Sequence, residues 1–121
     1  MPQVPYKHSP FDESILDAMY AYNQLDFNQD KFSLIDARII SLIHSYYYNE
    51  KHFFGSNTYL AYKCMTTEPT VQKSINKLCK LNFITKKVSC QEGRKRRVLA
   101  YNENVVNDFK KNMNVLEIEE P

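Results

Sequence analysis

Residues 56–81, SNTYLAYKCMTTEPTVQKSINKLCKL, constrain the fold more than any other stretch, because they predict two helices joined by a very short turn. Thr67 can cap the second helix, and Pro69 suits its first turn, where backbone N–H groups have no partner within the helix. Ser56 or Asn57 can cap the first, shorter helix in the same way. With so few residues between them, the two helices must pack against each other.

The second helix of this pair has two distinct faces. Val71, Ile75 and Leu78 recur at helical spacing and predict one buried stripe. The opposite face carries amides, a hydroxyl and cations, which are the groups that bond base edges and phosphates in a major groove. A polar face is also common on helices that merely contact water, so this helix alone assigns no function.

A β-hairpin is predicted directly after the second helix. Asn82 stands where a left-handed residue often ends a helix. Residues 83–88 predict a strand, residues 90–93 a turn that contains a glycine, and residues 97–101 a returning strand. The sequence therefore predicts a winged helix-turn-helix, a mainly α fold with a small antiparallel β-hairpin wing (α+β).

Residues from about 33 to 101 resemble the winged helix-turn-helix domains of bacterial, phage and plasmid DNA-binding proteins. The matching features are Leu60-Ala61, the cap Thr67, Thr70-Val71 at the start of the recognition helix, and the run LCKLNFI at 78–84. Asn82 departs from the usual glycine, and Pro69 replaces a residue that is commonly polar. The resemblance extends to the amino-terminal domains of phage and plasmid replication proteins, and many of its members dimerise through terminal helices.

Charge is distributed unevenly along the 121 residues, although the net charge is only +2. Residues 1–50 carry three basic and seven acidic side chains (net −4), and residues 102–121 carry two and five (net −3). Residues 51–101 carry eleven basic and two acidic side chains, a net charge of +9. The cations are therefore concentrated in the predicted helix-turn-helix and wing, as expected of a surface that contacts phosphates.

The candidate DNA-binding residues fall into three groups. Amides and a hydroxyl on the recognition helix are placed to contact bases, and glutamine and asparagine pair best with adenine. Lysines and arginines on the helix and the wing would neutralise phosphates, and the polar residues at the helix starts would bind the DNA backbone. The set is Ser56, Asn57, Thr67, Thr70, Gln72, Lys73, Asn76, Lys77, Lys80, Lys86, Arg94, Lys95, Arg96 and Arg97.

The remaining chain divides into three predicted parts. Residues 1–8, with two prolines, predict an extended arm, and residues 115–121 an acidic tail. Residues 9–114 predict a single domain, in which helices capped by Ser9 and Ser33 precede the helix-turn-helix. The segment 52–55 can add a short strand to the wing edge. The helix that begins at Ser33 should form the centre of the core.

The last helix carries an apolar stripe of Val105, Phe109 and Met113, with Val106 beside it. Such a stripe on a terminal helix is either part of the core or a contact between two copies of the chain. By analogy with winged helices, we expect a homodimer through the terminal helices.

Several classes of function lack the residues that they require. The three cysteines form no C-x-x-C pair, which argues against zinc, and Tyr46-Tyr47-Tyr48 has no nearby metal-ligand cluster of the kind a nuclease needs. With two glycines in the chain, there is no phosphate-cradling loop. We therefore expect no enzyme activity, no metal, no cofactor and no small-molecule ligand.

No run approaches the roughly 18 apolar residues of a membrane span, and the polar amino terminus does not resemble a signal peptide. Free cysteines suit a reducing compartment, so we expect a cytoplasmic protein.

These observations favour a sequence-specific double-stranded DNA-binding protein. Transcriptional regulation, plasmid or phage replication, and partition all remain open as its role. The alternative is a winged-helix protein–protein interaction module or adaptor without DNA readout. The concentration of cations around the recognition helix favours the DNA-binding class.

Overall fold

The computed structural model describes residues 13–25 and 30–118. The predicted arm, the predicted cap at Ser9, the segment 26–29 and the last three residues lie outside this description. Within the described residues the chain forms five helices and one two-stranded sheet. They are α1 (Glu13–Asn23), α2 (Leu34–Tyr48), α3 (Asn57–Cys64), α4 (Glu68–Lys80), β1 (Ile84–Gln91), β2 (Arg94–Tyr101) and α5 (Glu103–Ile118).

Helix α2 lies at the centre of the core, as predicted. Ser33 and Asp36 form a capping box, in which the Asp36 N–H donates to Ser33 Oγ (3.2 Å) and the Ser33 N–H donates to Asp36 Oδ2 (2.8 Å). Ile39, Ile40 and Ile43 are each at most 1% exposed. Full burial of a side chain of this size contributes about 1.5–3 kcal/mol, so α2 organises the packing of the other helices.

Helices α3 and α4 form the predicted helix-turn-helix. Ser56 caps α3 by accepting from the Tyr59 N–H, and Thr67 caps α4 by accepting from the Thr70 N–H. The buried side of the pair consists of Leu60, Ala61, Cys64, Val71, Ile75 and Leu78. Tyr59, next to Leu60 on the same helix, is 36% exposed.

Helix α4 ends in a Schellman motif centred on Asn82. The Asn82 N–H donates to the Cys79 carbonyl (3.0 Å), and the Phe83 N–H donates to the Leu78 carbonyl (2.9 Å). Asn82 has φ +65°, the left-handed conformation that its position predicts. The motif turns the chain directly from the recognition helix into the wing.

The hairpin is longer and its turn is tighter than predicted. The strands pair antiparallel from Ile84 opposite Tyr101 to Gln91 opposite Arg94. Only Glu92 and Gly93 form the turn, with φ +52° and +76°, which is the pattern of a type I′ turn. The predicted turn at 90–93 and the predicted strand start at 97 were therefore wrong. A type I′ turn matches the twist of paired strands, so pairing continues to the turn itself.

Phe53 pairs with the edge of the wing, where a short strand was predicted. It bridges Leu99 in antiparallel fashion, and the Leu99 N–H donates to the Phe53 carbonyl (3.0 Å). The Phe53 side chain is 2% exposed, so the bridge also anchors the wing to the core.

Helices α1 and α5 pack against each other, and α1 also packs against α2. Val106 is fully buried, and the Phe109 ring lies 5.1 Å from Phe83 and 5.6 Å from Phe32 between centroids. Helix α5 continues to Ile118, beyond the expected end at 114, since no glycine or proline interrupts that run. Among the described helices, none combines the length and apolar surface that a bilayer crossing requires.

The left-handed backbone at Asn82 predicts opposite effects for two substitutions. Asn82→Ala should lower the free energy of unfolding by about 1 kcal/mol, because a Cβ without a compensating polar group is disfavoured at positive φ. Asn82→Gly should leave it unchanged or raise it slightly. Denaturant unfolding of both variants measures this, and equal stability of the alanine and glycine variants would contradict it.

Candidate nucleic-acid interface

The polar face of α4 lies opposite its buried stripe. Thr70, Lys73, Asn76 and Lys80 are exposed, and Gln72 is partly buried. On the helix, Lys73, Asn76 and Lys80 point directly away from the core, since they lie opposite the stripe. Gln72 lies on the flank toward the wing and α3.

The other flank of α4 is tied to α2 through Asp36, which is 1% exposed. The Ser74 hydroxyl donates to Asp36 Oδ1 in a short hydrogen bond, and Lys77 Nζ donates to Asp36 Oδ2 (2.7 Å). Lys77 Nζ also donates to the Lys31 carbonyl (2.8 Å). The ammonium group of Lys77 is thus engaged within the protein, although it was predicted to contact phosphates.

The contacts of Asp36 with Ser74 and Lys77 in this cluster were not predicted from the sequence. Ser74 could have indicated its contact with Asp36, because it is a small polar residue inside the apolar stripe between Val71 and Ile75. A hydroxyl buried there needs a hydrogen-bond partner.

A chain of hydrogen bonds crosses the opposite flank of α4 and links the wing to the recognition helix. Arg97 on β2 donates from one guanidinium nitrogen to Asn57 Oδ1 (2.8 Å). Asn57 Nδ2 donates to Gln72 Oε1 (2.8 Å), and Gln72 Nε2 donates to Asn76 Oδ1 (2.9 Å). We call these four side chains the amide relay. All four residues were predicted from the sequence to contact DNA, each separately.

Arg97 is held in place from two sides. Its second terminal nitrogen donates to the Gly55 carbonyl (2.8 Å), and its side chain is partly buried. Burial lowers the pKa of the Arg97 guanidinium below its ordinary value, because the charged form loses hydration. Like Lys77, this cation faces the interior of the protein.

The other cations of the wing are exposed and divide between its two faces. Alternate strand residues share a face, so Lys95 and Lys86 lie on the same side as Arg97, toward α3 and α4. Arg94 and Arg96 lie on the other side. The Arg96 guanidinium sits 4.7 Å above the Phe54 ring, a cation–π contact that restricts its movement but leaves it exposed.

A shallow groove of about 400 Å³ joins the recognition helix to the wing. Asn76 and Lys80 line it from α4, and Thr85 and Lys86 line it from β1. Cys79 and Ile84 add apolar surface to this lining, and its two lysines can meet an anionic backbone that passes from the helix to the wing.

The polar residues at the helix starts already have partners. Ser56 Oγ and Thr67 Oγ1 accept from backbone N–H groups as caps, and the Thr67 and Thr70 hydroxyls lie 2.9 Å apart. All three are exposed, so the helix starts remain open to solvent.

No group of three histidine, cysteine, aspartate or glutamate side chains in the described part of the chain is arranged to hold a metal ion. Burial raises the pKa of the Cys64 and Cys79 thiols, so neither has an activated thiolate, and Cys90 is exposed on the wing.

Comparison with known proteins agrees with this architecture. A family model of a helix-turn-helix domain matches residues 33–84. The chain is similar in structure to MepR, a transcription regulator of the Staphylococcus aureus multidrug efflux pump MepA, with a TM-score of 0.52 and 17% sequence identity over 87% of this chain and 71% of that chain. No curated protein sequence matches the chain. The fold is a winged helix-turn-helix.

The two lysines on neighbouring turns of α4 should differ in their effect on stability. Lys77→Met leaves the buried Asp36 carboxylate without its cation and should lower the free energy of unfolding by about 2–3 kcal/mol, less than for a fully buried pair because Lys77 is partly exposed. Lys73→Met is the matched control, and it should change stability by less than about 0.5 kcal/mol. Equal effects in thermal or denaturant unfolding would show that the Asp36 contact does not stabilise α4.

Proposed function

We propose that this winged helix-turn-helix is a sequence-specific double-stranded DNA-binding protein. The recognition helix α4 enters the major groove, which is wide enough for one helix. Thr70, Gln72, Lys73 and Asn76 then lie nearest the base edges. The wing follows the adjacent DNA backbone.

One observation carries this proposal: the exposed polar face of α4 is continuous with a basic wing. The segment 51–101 has a net charge of +9, with exposed Lys73 and Lys80 on the outward face of α4 and Lys86 across the groove on β1. A surface of this kind attracts a polyanion, and its helix supplies the amides that discriminate bases.

The exposed cations supply the phosphate contacts in this proposal. Each neutralised phosphate releases counterions and steepens the decline of affinity with salt by about 0.9 in a plot of log K against log salt concentration. The contributing side chains are Lys80, Lys86, Arg94, Lys95 and Arg96, with Ser56, Asn57 and Thr67 near the backbone at the helix starts. Lys77 and Arg97 position the helix instead, because both are bonded inside the protein.

Transcriptional regulation is the role that we favour. The similarity to MepR, itself a transcription regulator, supports it at the level of the fold. Replication and partition functions of plasmids or phages use the same fold and are the alternatives. The arrangement of binding sites separates them, since tandem direct repeats are typical of origins and centromeres, and inverted repeats of dimeric regulators.

A homodimer through the terminal helices is a further part of the proposal. Much of the predicted apolar stripe on α5 is used in the core, because Val106 is buried and Phe109 packs among aromatic rings. A groove between α1 and α5 remains open, lined by Ala18, Ala21 and Met113 together with the polar or charged side chains of Ser14, Asp17, Lys110, Lys111 and Asn114. This groove and the exposed Tyr20 offer the surface for a second copy.

Selection from a pool of random duplex DNA tests the proposed function. At about 150 mM salt, where non-specific phosphate contacts are already weakened, the purified protein should enrich one motif over several rounds. An inverted repeat would support the dimer. Retention of DNA only at low salt, without enrichment, would overturn sequence-specific binding and favour a protein-binding surface instead.

Arg96 on the wing provides a separate test of the backbone contact. Arg96→Ala should weaken binding to all sequences alike and reduce the magnitude of the salt slope by about 0.9, because one phosphate contact is lost. Titrations over a range of salt concentrations measure the slope. Lys51→Ala is the control, because it removes an exposed cation that belongs neither to the proposed DNA contacts nor to the groove between α1 and α5, so it should leave the slope unchanged. An unchanged slope for Arg96→Ala would contradict a wing contact there.

A further inference from the structure

The amide relay has a direction that one residue determines. Arginine carries only N–H donors, so Arg97 must meet the oxygen of the Asn57 amide. The Asn57 nitrogen then faces Gln72, which must present its own oxygen. The Gln72 nitrogen in turn faces the oxygen of Asn76. Every amide in the relay is thereby oriented by the guanidinium at its start.

The last member of the relay is the one that faces solvent. Asn57, Gln72 and Arg97 are partly buried, whereas Asn76 is exposed on the outward face of α4. Because the Asn76 oxygen accepts from Gln72, it faces the relay, and the NH₂ group at the other end of the amide points away from the relay and presents its donors to a ligand. A free asparagine offers both ends of its amide and pairs with adenine, which has one acceptor and one donor in the major groove.

We propose that Arg97, acting through Asn57 and Gln72, sets the base specificity of Asn76 by turning its NH₂ group outward. The base preferred at this position has acceptors on its major-groove edge. Guanine fits best, since it presents both N7 and O6. Arg97 is thus a positioning residue for base readout, although its sequence context suggests a phosphate contact. This inference rests on the proposed DNA-binding function and refines the expected preference for adenine.

The isosteric substitution Asn57→Asp tests the direction of the relay. A carboxylate still accepts from Arg97 but cannot donate to residue 72. Gln72 must then turn its amide nitrogen toward the new carboxylate at position 57 and its oxygen toward Asn76. Asn76 in turn must face Gln72 with its own amide nitrogen. The Asn76 oxygen becomes the outward group. An aspartate in the first turn of α3 is favourable for the helix, so the variant should fold.

The experiment compares selections from random duplex DNA for three proteins: the unsubstituted chain, Asn57→Asp and Asn76→Ala. The position at which Asn76→Ala loses base preference identifies the base pair that residue 76 contacts. At this position the unsubstituted chain should favour guanine by about tenfold, and Asn57→Asp should favour a base that presents a donor, cytosine or adenine, by a similar factor. The added carboxylate lowers affinity for all sequences alike, so the comparison uses ratios within each protein.

Arg97→Met provides the second variant. Without the guanidinium both directions of the relay are allowed, so the preference at the same position should fall to about twofold or less. The salt slope should stay unchanged, because Arg97 contacts no phosphate. Arg96→Met is the matched control, and it should reduce the slope and keep the guanine preference.

Three results would overturn the inference while leaving the proposed function intact. They are an enriched motif with adenine at the Asn76 position, an unchanged base in Asn57→Asp, and a motif that Asn76→Ala does not alter. A pool with no enriched motif for the unsubstituted chain would instead overturn the proposed function itself. Thermal unfolding of each variant checks that a changed preference comes from a folded protein.

Discussion

The position of the recognition helix depends on one buried carboxylate. Asp36 completes the cap of the central helix and also accepts hydrogen bonds from Ser74 and Lys77 on α4. Hydrogen bonds to a charged group contribute about 1.5–3 kcal/mol, more than neutral ones. The same carboxylate therefore fixes where α2 begins and how α4 is rotated about its own axis. That rotation determines which side chains of α4 face outward.

The cations of this protein lie in two different environments that the sequence does not distinguish. Lys73, Lys77 and Lys80 lie on one helix, yet only Lys77 meets a buried carboxylate. Arg96 and Arg97 are adjacent on β2, but strand alternation sends Arg97 toward Asn57 and Arg96 over the Phe54 ring. The number of cations in a basic cluster is thus only an upper bound on the number of phosphates that it can contact.

The fold was predictable where it depends on local backbone chemistry. The caps Ser33, Ser56 and Thr67 and the left-handed Asn82 were found from the sequence, because each acts on neighbouring residues. The site was only partly predictable. Lys77 and Asp36 are 41 residues apart, and Arg97 and Asn57 are 40 apart, so no local pattern indicates either contact. The predicted position of the hairpin turn was wrong because a glycine at position 93 is compatible with both a four-residue and a two-residue turn.

The two flanks of α4 are held by interactions of different strength. On the α2 side a buried carboxylate and an ammonium group hold the helix, and removing either leaves an expensive buried charge or polar group. On the wing side the bonds between Asn57, Gln72 and Asn76 join neutral amides, each contributing only about 0.5–1.5 kcal/mol. The helix backbone is therefore fixed by the stronger flank. The orientation of its amide side chains depends on Arg97, whose donors fix which end of each amide faces the next.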